Sequence, residues 1–285
     1  MIAPTTYEQS LLSLDPLAYW PLNEASGTIA HDVVGNYNGS YVGGCTLAQT
    51  GPGNTIFGSP SRSVLFDGTS GYVNIPEGPF DITGAITAVA WVDVSSVPNF
   101  AGLFGHGDDS WRMSVSSSGA PGASDGNAVD ATSGGSILDG NWHMIAYSYS
   151  GIPGNGNGLL YVDGMLAAVN NVTAAPAGDT LSVWIGGSPD YGTTRLLNAR
   201  IAHAAVYSKA LSSTQLEDLY TGTYAGAVNL SVSYSGASAV LTWQSGVLLQ
   251  APALSGPWTT NTTALSPYTV PATAANEFFR VLVNP

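Results

Sequence analysis

Gly158-Leu159-Leu160-Tyr161-Val162-Asp163-Gly164-Met165-Leu166-Ala167-Ala168-Val169 is the stretch whose reading decides the fold class. Two apolar runs flank an Asp-Gly pair. Asp-Gly is the preferred centre of a tight hairpin turn, because both central residues must adopt positive φ. The spacing predicts strands over Gly158–Val162 and Met165–Val169. Outward from this hairpin the same grammar repeats. Short apolar or alternating runs bounded by Gly, Pro, Asn or Asp occur at Ala18–Leu22, Ser63–Phe66, Tyr72–Ile75, Ile86–Val94 and Ala101–Gly105. Others occur at Trp111–Ser116, His143–Ser150, Leu181–Gly186 and Ala199–Tyr207. That density of short strands predicts an all-β sandwich or barrel.

Two segments depart from the pattern. Thr5 stands three residues before Glu8, the spacing of a capping box, and Leu11, Leu12 and Leu14 follow before Asp15-Pro16 stops the run. Ser212 stands likewise before Gln215, with Leu211, Leu216, Leu219 and Tyr220 as an apolar stripe and Gly222 at the exit. Both predict short helices. Ser116–Asn141 and Gly151–Gly158 are rich in small and polar residues and read as loops. A boundary falls near Thr221–Ala227. Beyond it come further short strand patterns, at Asn229–Tyr234, Ala239–Gln244, Val247–Gln250, Pro267–Val270 and Phe278–Leu282. The expected organisation is one large domain over residues 1–225 and a small β domain over 226–285.

Composition narrows the function. Of 285 residues 9% are charged, with 6 Lys and Arg against 19 Asp and Glu, for a formal charge of −13. Nucleic-acid binding needs a cationic face, so no nucleic-acid partner is expected. The longest apolar runs are far shorter than the roughly 18 residues that a membrane helix requires, so no membrane insertion is expected. The 44% hydrophobic content excludes a disordered chain. Cys45 is the sole cysteine, which rules out an intrachain disulfide and a zinc cluster. Met1–Thr6 has neither a basic nor an apolar region, so no signal peptide is read there.

Ala18-Tyr19-Trp20-Pro21-Leu22-Asn23-Glu24, followed by Ala30-His31-Asp32, resembles the opening of laminin-G-like, concanavalin-A-like jelly-roll domains. Further elements fall in the order of that family. They are Leu65-Phe66-Asp67-Gly68 with Tyr72-Val73, Val89-Ala90-Trp91-Val92, Asn141-Trp142-His143-Met144 and Leu160-Tyr161-Val162-Asp163-Gly164. The closing Ala199-Arg200-Ile201-Ala202 and Ala205-Val206-Tyr207-Ser208 belong to the same set. The resemblance covers about residues 7–224. It implies a jelly-roll sandwich with two short helices, followed by a small β-sandwich module that resembles immunoglobulin-like modules of bacterial surface proteins. Packing alone also accounts for these elements: Trp91, Trp142, Trp184 and Trp243 sit in apolar alternation and read as core.

The family fold hosts lectins, adhesion domains, hydrolases and spacers, so function rests on the residues. Hydrolases of this fold can carry a Glu-x-Asp-x-x-Glu strand, which is absent, and the five glutamates are scattered. Lyases of this fold use clustered Arg and Lys, and here Arg112 and Arg195 alone fall near candidate loops. The chain is therefore read as non-enzymatic. The resemblance implies a possible calcium ion at the sandwich rim, for which Asp108, Asp109 and Asp190 are the candidate ligands. Trp111, Tyr191 and Phe100 lie beside loops and are the candidate sugar platforms. The first expected function is a recognition or adhesion module binding glycans or a surface protein at an extracellular or virion surface. The second is a structural or decoration protein meeting copies of itself or a capsid or fibre lattice. A polysaccharide hydrolase or lyase comes third.

Overall fold

The structure is a computed structural model that describes residues 6–53, 55–97, 100–126, 128–176, 178, 180–222, 230–243, 247–253, 255–271 and 277–282. Thr5, expected to cap the first helix, and residues 223–227 of the expected boundary lie outside these. The chain divides into two compact units, Met1–Tyr224 and Ala225–Pro285.

Among the described residues, the first unit is built on two eight-stranded antiparallel sheets. One runs in the order Met165–Val172, Gly154–Val162, His143–Tyr149, Ile86–Ser96, Asn198–Tyr207, Arg62–Asp67, Cys45–Thr50, with Ala18–Trp20 paired to the far end of Asn198–Tyr207. The other runs Ala131–Thr132, Pro121–Asp125, Trp111–Val115, Ala101–Gly105, Val183–Ile185, Tyr72–Ile75, Gly39–Val42, Ile29–Ala30. Neighbours distant in sequence, such as Ile86–Ser96 beside Asn198–Tyr207, are what makes this a jelly roll rather than a meander.

The central strand explains the layering. Its first nine residues, Ile86 to Val94, are all buried. Ile86, Ala88, Ala90, Val92 and Val94 face the second sheet and enter the main core with Trp20, Phe66, Phe104 and Trp111. Val89 and Trp91 face the other way, into a second cluster with Met144, Ala146 and Tyr161. Two helices close that second cluster. Helix α1, Thr6–Ser13, contributes Tyr7 and Leu11, and helix α2, Ser213–Thr221, contributes Leu216 and Leu219. Each such burial stabilises by roughly 1.5–3 kcal/mol. The capping box at α2 is present: the Gln215 N–H donates to Ser212 Oγ, and the Ser212 N–H donates to Gln215 Oε1. Gly222, with φ 69°, ends the helix.

At the deciding hairpin, Asp163 and Gly164 have φ 53° and 76°, as the turn requires. Asp163 does more than turn. Its Oδ1 accepts the Met144 N–H at 2.9 Å, and its Oδ2 lies 2.8 Å from His143 Nδ1. The two carboxylates of Asp163 and Asp139 hold the His143 imidazolium, raising its pKa to about 9.

Both segments read as loops contain strand. Pro121–Asp125 is a buried strand inside Ser116–Asn141, and Gly154–Val162 runs through most of the glycine cluster. Their small residues hid them. Gly158 is small from necessity, since a Cβ there would lie 1.7 Å from Asn170 Oδ1 and 2.4 Å from the Tyr147 hydroxyl. Three strands, Ile29–Ala30, Gly39–Val42 and Cys45–Thr50, carry too little apolar patterning to be foreseen.

The second unit holds two three-stranded sheets. Ser231–Ser235, Ser238–Thr242 and Tyr268–Pro271 form one, and Thr259–Thr260, Val247–Ala251 and Phe278–Leu282 form the other. Leu241, Trp243 and Leu248 make its core.

Candidate functional site

Two sandwich faces look outward. Helices α1 and α2 cover that of the first sheet. That of the second sheet carries no α-helix among the described residues, and two 3-10 turns, Pro189–Tyr191 and Thr193–Arg195, lie at one end of it. Directly paired residues of an antiparallel ladder share a side of the sheet, so the register lays out this face. One row runs Ser40, Asn74, Trp184, Gly105, Arg112, Ser124 across six strands. The alternate row, Val73, Ile185, Phe104, Met113, Ala123, points into the core.

Trp184 is therefore not a core residue, as its apolar neighbours suggested. It is half-buried on the outer face, and its ring stacks on Tyr72 with centroids 3.8 Å apart and planes 21° from parallel. Its Nε1–H donates to Asn74 Oδ1 and to Ser182 Oγ, both at 2.9 Å. That bond holds the Asn74 amide oxygen, and Ser40, its neighbour in the row, is exposed. Nothing in a one-dimensional pattern separates Trp184 from Trp20. The signal is available only from the pairing of Trp184 with Gly105, an outward position on the next strand.

Next to Trp184 the chain crosses the face at Gly186–Ser188. The passage is close, for a Cβ at Gly102 would lie 2.4 Å from the Gly187 carbonyl oxygen. Beyond it is a shallow pocket floored by Gly102, Gly105 and Gly187 and walled by Phe100, Asp108, Arg112 and Arg195, with room for little more than one water-sized group, about 10 Å³. Four of the candidates from the sequence, Phe100, Asp108, Asp190 and Tyr191, meet around it. The Tyr191 hydroxyl donates to Asp108 Oδ2 at 2.5 Å, and the Asp108 N–H donates to Asp190 Oδ2 at 2.8 Å. The Asp108 carboxylate raises the pKa of the Tyr191 phenol. The Arg195 guanidinium lies over the Tyr191 ring, 3.3 Å from its centroid, and 5.0 Å from that of Phe100. Arg112 is fully engaged, donating to the carbonyls of Asp108, Gly126 and Ala128 and to Asp130 Oδ1 at 2.7 Å.

Trp111 does not belong to this site. It is 0% exposed, its Nε1–H donates to the Phe80 carbonyl at 2.9 Å, and it packs edge-on against Phe104. A ring enclosed in this way offers no face to a sugar. Asp109 is exposed and takes no part in the Asp108–Asp190–Tyr191 cluster.

The donor set does not fit a calcium ion. Among the described residues no three acidic, His or Cys side chains gather as ligands. Asp108 is tied to a phenol, and two guanidinium groups stand at the same pocket, one of them with its Nε 3.7 Å from Asp108 Oδ1. Positive charge at that range opposes a divalent cation.

The acids in the resemblance elements hold loops. Asp32 accepts the N–H groups of Tyr19, Val34, Gly35 and Tyr37, each at 2.9 Å. Glu24 accepts the His31 N–H and the Tyr41 hydroxyl. Asp67 accepts three backbone N–H groups and two hydroxyls in the turn 69–71, which hold its carboxyl below the usual range although its slight burial opposes this.

A helix-covered sheet packed on an open one, with loops crowding one end of the open face, is the architecture of a lectin-like jelly roll. Residues 67–217 match the family model of the concanavalin A-like lectin/glucanases superfamily, more than half of the chain, and the chain belongs to that family. No curated protein sequence matches it. Among solved structures, the binding domain of Paraclostridial Mosquitocidal Protein 1 aligns with TM-score 0.60 at 10% identity, covering 91% of this chain and 71% of that one. The binding domain of botulinum neurotoxin serotype D/C VPI 5993 aligns with TM-score 0.51 at 12% identity, covering 84% and 67%. Trypanosoma rangeli sialidase in complex with sialic acid aligns with TM-score 0.55 at 18% identity, covering 71% of this chain. The match spans 32% of that sialidase's length. At these identities the likeness is one of fold. No helix of the described residues is long and apolar enough to cross a membrane.

Proposed function

We propose that the chain is a non-catalytic recognition domain that binds glycans through the open face of its second sheet, at an extracellular surface. The observation that carries this is the stacked Tyr72–Trp184 pair, set beside the oriented Asn74 amide on the sandwich face that no α-helix covers. A rigid apolar plane flanked by outward hydrogen-bonding groups matches the two sides of a sugar ring, one of C–H bonds and one of hydroxyls. The engagement of Glu24, Asp32 and Asp67 with backbone amides supports a binding role over an acid–base one. So does the description of two structural neighbours as binding domains. The test is a glycan array probed with the wild-type chain and with Trp184→Ala. Capture of glycans by the wild type, lost in the variant at unchanged melting temperature, is the expected result. An array with no hits overturns the reading.

One observation favours a second reading, a structural protein that meets copies of itself. The edge strand Met165–Val172 has no charged residue, and Met165, Leu166 and Val169 are 74%, 54% and 53% exposed. Exposed uncharged edges invite pairing, and in a chain of charge −13 such an edge is where like-charge repulsion is least. The molar mass in solution decides between the two.

A further inference from the structure

We propose that the second unit is a sandwich one strand short, and that its open slot takes an extended, uncharged segment of a partner polypeptide, apolar at alternate positions.

Strand Ser231–Ser235 reads Ser-Val-Ser-Tyr-Ser, and its period of two gives it a polar and an apolar side. The register says which side is inner. Val232 pairs with Leu241, which pairs with Tyr268, and Tyr234 pairs with Ala239, which pairs with Val270. Leu241, Tyr268 and Val270 belong to the core of this unit, so Val232 and Tyr234 point the same way. Yet Val232 is 51% and Tyr234 78% exposed. The inner row is patterned as core and ends without a cover.

The opposite sheet shows where the cover is missing. Phe278–Leu282 pairs with Val247–Ala251 along one edge and, among the described residues, with no strand along the other. Phe279 and Val281 share the core with Leu248, and both are only half-buried. The other outer strand of that sheet, Thr259–Thr260, is two residues long and offers no comparable template. One strand laid along the free edge of Phe278–Leu282 gives its backbone groups partners. The same strand sets apolar side chains beside Phe279 and Val281 and over Val232 and Tyr234.

The slot defines its occupant. A row of unpaired backbone N–H and C=O groups is satisfied by another backbone, so the occupant is a peptide strand. The edge has five residues, which sets the paired length. Side chains entering the core must be apolar, because an unpaired charge there is costly. Residues 225–285 hold one acid, Glu277, and one base, Arg280, so this unit is neutral in a chain of charge −13. The Arg280 guanidinium already lies over the Trp258 ring, 4.3 Å from its centroid. Neither charge calls for a counter-charge on the segment. Strand Ser231–Ser235 extends past the opposite sheet, so the free edge is recessed and admits one extended segment more readily than the folded edge of a second copy.

The experiment is selection of a displayed random heptapeptide library on the full chain. The recovered peptides, made synthetically, are then titrated into wild type, Val232→Lys and Tyr234→Lys. Both side chains are exposed, so the variants are expected to keep the wild-type melting temperature. The recovered peptides are expected to carry apolar residues at alternate positions and no charge. On the wild type they are expected to slow hydrogen exchange at the backbone amides of Phe278–Leu282. Covering one apolar side chain is worth about tenfold or more in affinity, and each lysine variant should bind more weakly by that factor. Recovery of no peptide, or of peptides without the alternation, overturns the proposal. So do peptides that leave exchange at Phe278–Leu282 unchanged or bind the variants as tightly as wild type. Sedimentation of the wild type without peptide supplies the remaining outcome: self-association that both variants abolish assigns the slot to a second copy and overturns the partner segment.

Discussion

Replacing Asp125 by Asn should stabilise the first unit at neutral and alkaline pH and leave it unchanged in acid. Asp125 is 0% exposed on the strand Pro121–Asp125, paired with Trp111 and so facing the core. Neither carboxyl oxygen has a hydrogen-bond partner. Burial pushes the carboxyl up from 3.8 to about 7, and the nearby Gly126 amide, whose hydrogen bond goes to the Ser110 carbonyl, and the Arg112 guanidinium oppose this only in part. The hydroxyl groups that face it, Tyr147 and Tyr149 of the opposite sheet, have their own pKa values raised by burial and remain neutral over the range of interest. The sign follows from proton counting. Between pH 4 and 7 the folded chain holds a proton that the unfolded chain has released, so stability falls as pH rises. The stabilisation is complete below the unfolded value and is lost as pH passes about 7. At roughly 1.4 kcal/mol per pH unit, the wild type loses about 4 kcal/mol across that window through this residue. Asn keeps the shape and cannot ionise. Urea unfolding followed by tryptophan fluorescence at pH 4, 6 and 8, on wild type and Asp125→Asn, gives the comparison. Buried His106 is common to both chains and cancels in the difference. Equal stability of the two proteins at pH 8, or parallel pH slopes, would refute the reasoning.

Two further outcomes are expected. Asp32→Ala removes the acceptor of four backbone N–H groups. At about 1 kcal/mol or more each it should lower unfolding free energy by at least about 3 kcal/mol, and a loss under about 1 kcal/mol would show that water replaces the carboxylate. Millimolar calcium or a chelator should leave the melting temperature unchanged, because guanidinium groups rather than a ligand set stand beside Asp108; a calcium-dependent rise would mean that the Asp108–Asp190 pair rearranges to bind the ion.

Much of the fold was legible because its signals are local. Asp163-Gly164 specifies its turn from two residues, Ser212 and Gln215 cap a helix within one turn, and the run from Ile86 to Val94 is apolar throughout because both of its sides are buried. The strand Pro121–Asp125 was not legible. It lies under the Arg112–Asp130 contacts, where small residues fit, and small residues carry no periodic signal.

The site divides along the same line. Asp108, Asp190 and Tyr191 could be named from two glycine-flanked loops, since loop position is a sequence property. Whether they meet, and with what charge beside them, depends on the long-range pairing of Val183–Ile185 with Ala101–Gly105, which brings residues some eighty positions apart to one pocket. The same pairing reverses the two tryptophans, since the sequence read Trp184 as core and Trp111 as a sugar platform. Trp111 and Trp184 both stand in apolar strands, yet Trp111 faces the core and Trp184 faces out. A strand places alternate residues on opposite sides, so its sequence states that two faces exist. Which face is covered is settled by what packs on it, and here the helices α1 and α2 close one sheet and leave the other open.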